Sequence, residues 1–115
     1  MNKYLVLYMA PASMMEEWMK TDPAVRKTEE EKMRAEWGVW MGAHKEQIKE
    51  TAGAGKTKRV TKEGAVDTKN DIMLFSMVTG ESADAIAKMF DGHPHFGIPG
   101  AWIEVMPANY LPGMN

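Results

Sequence analysis

Two stretches of the chain are apolar almost without interruption, YLVLYM at 4–9 and IMLFSMV at 72–78. Both are short and rich in β-branched and aromatic residues, so they predict strands over Lys3–Met9 and Asp71–Thr79. AWIEVM at 101–106 predicts a last strand. KTKRVTK at 56–62, with Val60 its one apolar side chain, predicts a polar one. Between the first strand and the lysine-rich one the apolar spacing changes to steps of three and four: Met33, Trp37, Trp40/Met41, His44, Ile48. That is the face of a helix. Asp22 caps it and Pro23 takes the first helical position, and the pattern carries it to about Thr51. Ser13–Lys20 predicts one or two earlier helical turns, with Met14, Met15, Trp18 and Met19 on the apolar side. Glu81–Asp91 predicts a second long-range helix whose inner face is Ala83, Ile86, Ala87 and Phe90. Glu63–Asn70, with Gly64, reads as a turn region, Gly92–Gly100 as a loop, and Pro107 onward as a proline-punctuated tail.

Strand, helix, strand, strand, helix, strand is the order of the ferredoxin-like split βαβ arrangement. The predicted class is therefore α+β, a ferredoxin-like βαββαβ domain with a four-stranded antiparallel sheet in the order fourth, first, third, second. The most apolar strands then fall in the centre and the lysine-rich Lys56–Lys62 at an edge, where lysines discourage unwanted pairing. Two helices cover one face of such a sheet. The central strands are apolar on both faces, the pattern of strands buried on both sides. A lone chain would leave about six to ten large side chains in water, at ~1.5–3 kcal/mol each, a sum comparable to the whole stability of a domain. Face-to-face pairing of two sheets, most simply about a two-fold axis, removes that cost. The expectation is a homodimer through the open sheet face.

Length and composition narrow the picture. The 115 residues make one domain, 1–115, with 44% hydrophobic and 26% charged side chains, ordinary values for a folded protein. A formal charge of -2 offers no basic face for nucleic acid. With no cysteine there is no disulfide, thiolate nucleophile or thiolate metal site, in keeping with a cytoplasmic location. The opening apolar run followed by Ala10-Pro11-Ala12 loosely resembles a signal peptide, but it is also the strongest strand, and it is read as one. No run reaches the ~20 apolar residues of a membrane span, so neither nucleic acid nor membrane is an expected partner. Twelve methionines and four tryptophans point to an adaptable core or a compliant pocket for a small-molecule ligand.

Four blocks carry a resemblance to a known family: the opening KYLVLYM, the helix containing His44 followed ten residues later by AGK, the ESADAIAKMFDGHPH helix and loop, and the closing GAWIEVMP. In their order and spacing the chain resembles the YCII-related family, including its DGPF-type branch, over nearly its whole length. The resemblance implies a dimeric α+β barrel and acid–base chemistry centred on a helix histidine and an aspartate. Glu63-Gly64-Ala65-Val66 stands where that branch has Asp-Gly-Pro-Phe, so roles tied to that motif do not carry over.

His44 is the residue to watch. An imidazole on an otherwise apolar helical face either finds a polar partner and is simply core, or works as a neutral base near pH 7 on a small phenol or enol. Asp71, at the start of a central strand, is the preferred partner to fix its tautomer, with Asp67 in reserve. Trp18, Trp37 and Trp40 are the expected pocket walls, joined by His95 from the loop. His93-Pro94-His95 lacks an obvious third ligand, so no metal is expected. Nothing marks an axial haem ligand, and no cofactor is expected. Glu104, on one strand face with Trp102 and Met106, is simplest to place at a solvated edge. Two classes of function follow: a cofactor-free acid–base enzyme (isomerase, lyase or dehalogenase) acting on a small, partly aromatic molecule, or a binding or accessory homodimer that uses the same pocket without turnover.

Overall fold

The computed structural model describes residues 1–113. Its elements are β1 (Asn2–Met9), α1 (Ala12–Met19), α2 (Pro23–Ala43), β2 (Ile48–Gly53), β3 (Thr57–Thr61), β4 (Gly64–Thr68), β5 (Ile72–Gly80), α3 (Ala83–Met89), a 3-10 turn (Pro94–Gly97) and β6 (Trp102–Pro107). Four strands form one sheet in the order β2-β5-β1-β6, each neighbouring pair antiparallel. The fold is α+β and ferredoxin-like, with the two most apolar strands in its centre.

The second strand of that sheet is not the one the polar pattern indicates. Lys56–Lys62, expected at the sheet edge, instead forms β3, which pairs with β4 in a separate two-stranded sheet. Residues 63–70, expected as a turn, supply β4. Lys62 and Glu63 make the hairpin turn, and Gly64 takes φ +123°, a conformation that favours glycine. The true edge strand is β2, in residues expected to continue the long helix. α2 stops at Ala43, with His44 as its C-cap. The physical reason lies in β5, whose second edge would otherwise be bare. Ile48–Gly53 satisfies those backbone groups, worth more than another helical turn made in water. The shortened helix also matches the sheet in length, ~32 Å for 21 residues against ~30 Å for nine residues of β5.

The helices pack on one face of the sheet. Tyr4, Val6 and Tyr8 alternate along β1 into a core completed by Val78, Ile86 and Phe90, with Trp37, Trp40, Ile103 and Val105 packed against it. Asp22 caps α2 by accepting from the Ala24 N–H at 2.8 Å, and Ser82 caps α3 through the Ala85 N–H at 3.1 Å. The other face carries Leu5 and Leu7 of β1, Phe75 and Met77 of β5, and Trp102 and Met106 of β6, all half-buried in the single chain. Glu104 lies on that face of the outer strand, exposed, and accepts from Trp102 Nε1 at 2.7 Å. No helix is long and apolar enough to cross a membrane, among the described residues.

Candidate functional site

At the end of the sheet where β1 stops, a cleft of about 450 Å³ opens between α1, α2, β5 and the loop after α3. Met14, Met15 and Trp18 come from α1, Met33 and Trp37 from α2, and His95 from the loop. Glu29, Glu30 and Arg34 stand on the same wall of α2. Trp18 donates its indole N–H to Glu30 at 3.3 Å, which ties α1 to α2 across one side. A neighbouring cleft of about 560 Å³, between the base of the β3–β4 hairpin and α1, shares Met15 and Met73 with the first.

The loop is built to bring His95 inward. Gly92 takes φ +71° and turns the chain after α3. His93 then caps the 3-10 turn, its Nδ1 accepting from the His95 backbone N–H at 2.9 Å, both groups buried. The side chain of His95 is fully buried, and its Nε2 lies 2.8 Å from the Met9 carbonyl at the end of β1. A carbonyl only accepts, so Nε2 carries the proton and Nδ1 of the neutral ring is left as the acceptor. Nδ1 has no hydrogen-bond partner, and neither does the buried Nε2 of His93. Burial pulls the His95 pKa below the usual histidine value, and the Met9 and Trp102 carbonyls oppose that only in part. His93 falls to about 4, through burial first and then the nearby His95 and His44 rings. Both imidazoles are neutral at pH 7.

His44 belongs to the outer end of the same ring cluster. It caps α2 instead of lying two turns inside it. Its Nδ1 donates to the Trp40 carbonyl at 2.9 Å, while its ring stacks on the Trp40 indole, centroids 4.2 Å apart. From there the rings are continuous: Trp40 to His93 at 4.4 Å, His93 to Trp37 at 4.5 Å, and Trp37 to Tyr8 at 4.9 Å. Trp37 thus joins the histidine cluster to the cleft, whereas Trp40 packs against Phe90 and His93 and lines neither cleft. Asp71 is occupied elsewhere. Its carboxylate accepts from the Ala12 N–H at 2.9 Å, and its carbonyl from the Ala10 N–H, so it ties β1 and α1 to β5. Asp67, in β4, accepts from Lys58 and lines the neighbouring cleft. Among the described residues neither aspartate is hydrogen-bonded to a histidine. No group of three His, Asp or Glu side chains is placed to hold a metal ion among them.

No protein-family model matches the sequence, and no curated protein does. A solved structure does match in its fold. It is 5-chloro-2-hydroxyhydroquinone dehydrochlorinase (TftG) from Burkholderia phenoliruptrix AC1100, in complex with 2,5-dihydroxybenzoquinone. The alignment covers 96% of each chain, with a TM-score of 0.55 and 14% identity. The two chains share a fold.

Sequence reasoning placed Trp18, Trp37, Trp40 and His95 at a pocket; the fold gathers Trp18, Trp37 and His95 around one cleft and leaves Trp40 outside it. What that reasoning missed was the structural role of His93, which it weighed with His95 as a metal pair lacking a third ligand and otherwise read as loop. Its buried ring is the hub of the aromatic cluster, and its Nδ1 sets the turn that carries His95. A signal was present in His93-Pro94-His95 after Gly92: a histidine directly before proline at a turn start is placed to cap it.

Proposed function

We propose that the protein is a YCII-related acid–base enzyme, of the isomerase, lyase or dehalogenase kind, that binds a small, partly aromatic molecule in the Trp18/Trp37 cleft and works as a homodimer. One observation carries this reading. His95 lines a cleft walled by tryptophan and methionine, its tautomer is held by the Met9 carbonyl, and its Nδ1 is unpartnered. A buried acceptor without a donor is costly, by about 1–3 kcal/mol. Nδ1 is itself buried, so a ligand hydroxyl would reach it, and relieve that cost, by parting the side chains at the cleft floor. The lowered pKa makes the ring a weak base, suited to an acidic proton such as that of an electron-poor phenol or hydroxyquinone. The 2,5-dihydroxybenzoquinone bound in the neighbour is a hydroxyquinone. Trp18 and Trp37 offer flat faces for such a ring and Arg34 a charge for its anion. His44 takes part from the outer end of the cluster, through Trp40 and His93, and Asp71 and Asp67 keep the hairpin and α1 in place around it.

A second reading, binding without turnover, is favoured by a separate observation. Among the described residues no carboxylate is bonded to any of the three imidazoles, so an imidazolium once formed has backbone carbonyls beside it but no counter-charge. The test separates the two. Tryptophan fluorescence should be quenched by 2,5-dihydroxybenzoquinone in the wild type, and 5-chloro-2-hydroxyhydroquinone should lose chloride on incubation. His95→Gln, which keeps a donor for the Met9 carbonyl, should abolish turnover and weaken quenching. Quenching without chloride release favours the binder. An unquenched wild-type protein rejects the cleft altogether.

A further inference from the structure

The β3–β4 hairpin is a projection that its own chain leaves uncovered. Its five residue pairs run from Thr57↔Thr68 to Thr61↔Gly64. Val60 and Val66, which point to opposite faces of the ribbon, are 75% and 58% exposed. Among the described residues the side-chain tie from this arm to the body is Lys69 to Glu16, just past its last strand. A two-stranded ribbon without a third layer is marginal in water. The chain measures 49 × 45 × 19 Å with a radius of gyration of 16.1 Å, where a compact chain of this length would have about 13 Å.

Charge indicates what the arm meets. Lys56, Lys58, Arg59 and Lys62 oppose only Glu63 and Asp67 along it, and Lys58 is already paired with Asp67. Arg59 and Lys62 extend from the ribbon with no ion pair among the described residues. On the same molecule, the first half of α2 presents Glu29, Glu30 and Glu31 in succession, all exposed, and the first two stand at the aromatic cleft. Basic arm and acidic rim belong to one chain, so two copies related by a two-fold axis satisfy both twice over. A foreign partner would meet one of them.

We propose that the β3–β4 arm of one protomer reaches across a second copy of this chain and lays Arg59 and Lys62 against that copy's Glu29–Glu31, so that each cleft is closed by the other protomer's hairpin. The inference rests on the homodimer reading above and adds the contact that completes the site. Covered on one side, Val60 or Val66 leaves water, and the ribbon gains the layer it lacks.

Charge reversal tests it. Sedimentation equilibrium should show the dimer dissociation constant rising by roughly tenfold or more in Arg59→Glu/Lys62→Glu, and likewise in Glu29→Lys/Glu30→Lys/Glu31→Lys. Combining the two sets should restore the dimer to near wild type, a rescue that misfolded variants cannot produce. An unchanged dissociation constant in the single sets, or a combined protein no tighter than either, overturns the arm contact while leaving the sheet-to-sheet dimer standing. A wild-type monomer at micromolar concentration overturns both. Quinone quenching of the tryptophans, read at each dilution, reports on the cleft itself in every case.

Discussion

At His93 a buried ring must stay neutral for the core to hold. Its Nδ1 accepts from the His95 N–H, its Nε2–H has no partner, and Tyr8, Trp37, Trp40 and Phe90 surround it. With a folded pKa near 4 against an ordinary 6.5, the unfolded chain binds the extra proton between those values. Stability is therefore full above pH 6.5 and declines as the pH falls towards 4, by about 3 kcal/mol from this ring. The lowered His95 pKa adds a loss of the same sign. Urea unfolding at pH 7 and pH 4.5 should show it. His93→Asn, which keeps a cap acceptor but does not titrate, should flatten the slope. An equal slope in wild type and variant would mean that protonation of His93 does not govern acid stability. Tyr8 adds no pH dependence near neutrality, because burial raises its phenol above 10.0 and the Ser76 hydrogen bond opposes this only partly.

Among the elements, α3 and β5 meet where there is no room for a side chain. A Cβ on Gly80 would lie 2.3 Å from Ile86 Cδ1 and 2.9 Å from its Cγ1, and Ile86 is 2% exposed. Gly80→Ala should therefore cost about 1–2 kcal/mol, since a β-branched side chain locked in a packed core moves only with its neighbours. Trimming the obstacle in Gly80→Ala/Ile86→Val should recover part of that loss in thermal unfolding. If the double variant is no more stable than the single, the two changes act independently and the contact is not the cause. The same logic of fit explains α2. It buries no residue completely, because one side faces the sheet through Trp37 and Trp40 while Met33 and Trp37 line an open cleft.

For the whole molecule, the open sheet face decides the state of association. Leu5, Leu7, Phe75, Met77, Trp102 and Met106 lie together on it, half-buried in a single chain. A face of this kind is costly in water and, in a freely soluble monomer, exceptional. Light scattering at micromolar concentration should give about twice the chain mass of 12.9 kDa. Phe75→Glu, which puts a charge in the middle of that face, should yield a folded monomer with unchanged far-UV dichroism. A well-behaved wild-type monomer would remove the homodimer from the proposal.

Much of the fold was legible because it rests on local pattern. The runs at Tyr4–Met9 and Ile72–Val78 are apolar on both faces and can only be central strands, and Asp22-Pro23 and Ser82 mark helix starts by chemistry any reader of the chain can see. The path from Ala43 to Asn70 was not legible. Ile48 continues the helical spacing and Gly53 ends it, so periodicity alone favours helix there. Pairing with a strand some 25 positions away, Thr51 opposite Ser76, settles the matter in the folded chain. Once β2 holds the edge, the lysine-rich segment is displaced into a hairpin of its own. The site divides in the same way. Residue type and loop position already drew Trp18, Trp37 and His95 to a pocket. That His93 and His95 each keep a buried, unpartnered nitrogen, and that Asp71 spends its carboxylate on the Ala12 N–H, are matters of direction in space. Those depend on backbone groups brought together from β1, β5 and the loop after α3, and only the tertiary structure decided them.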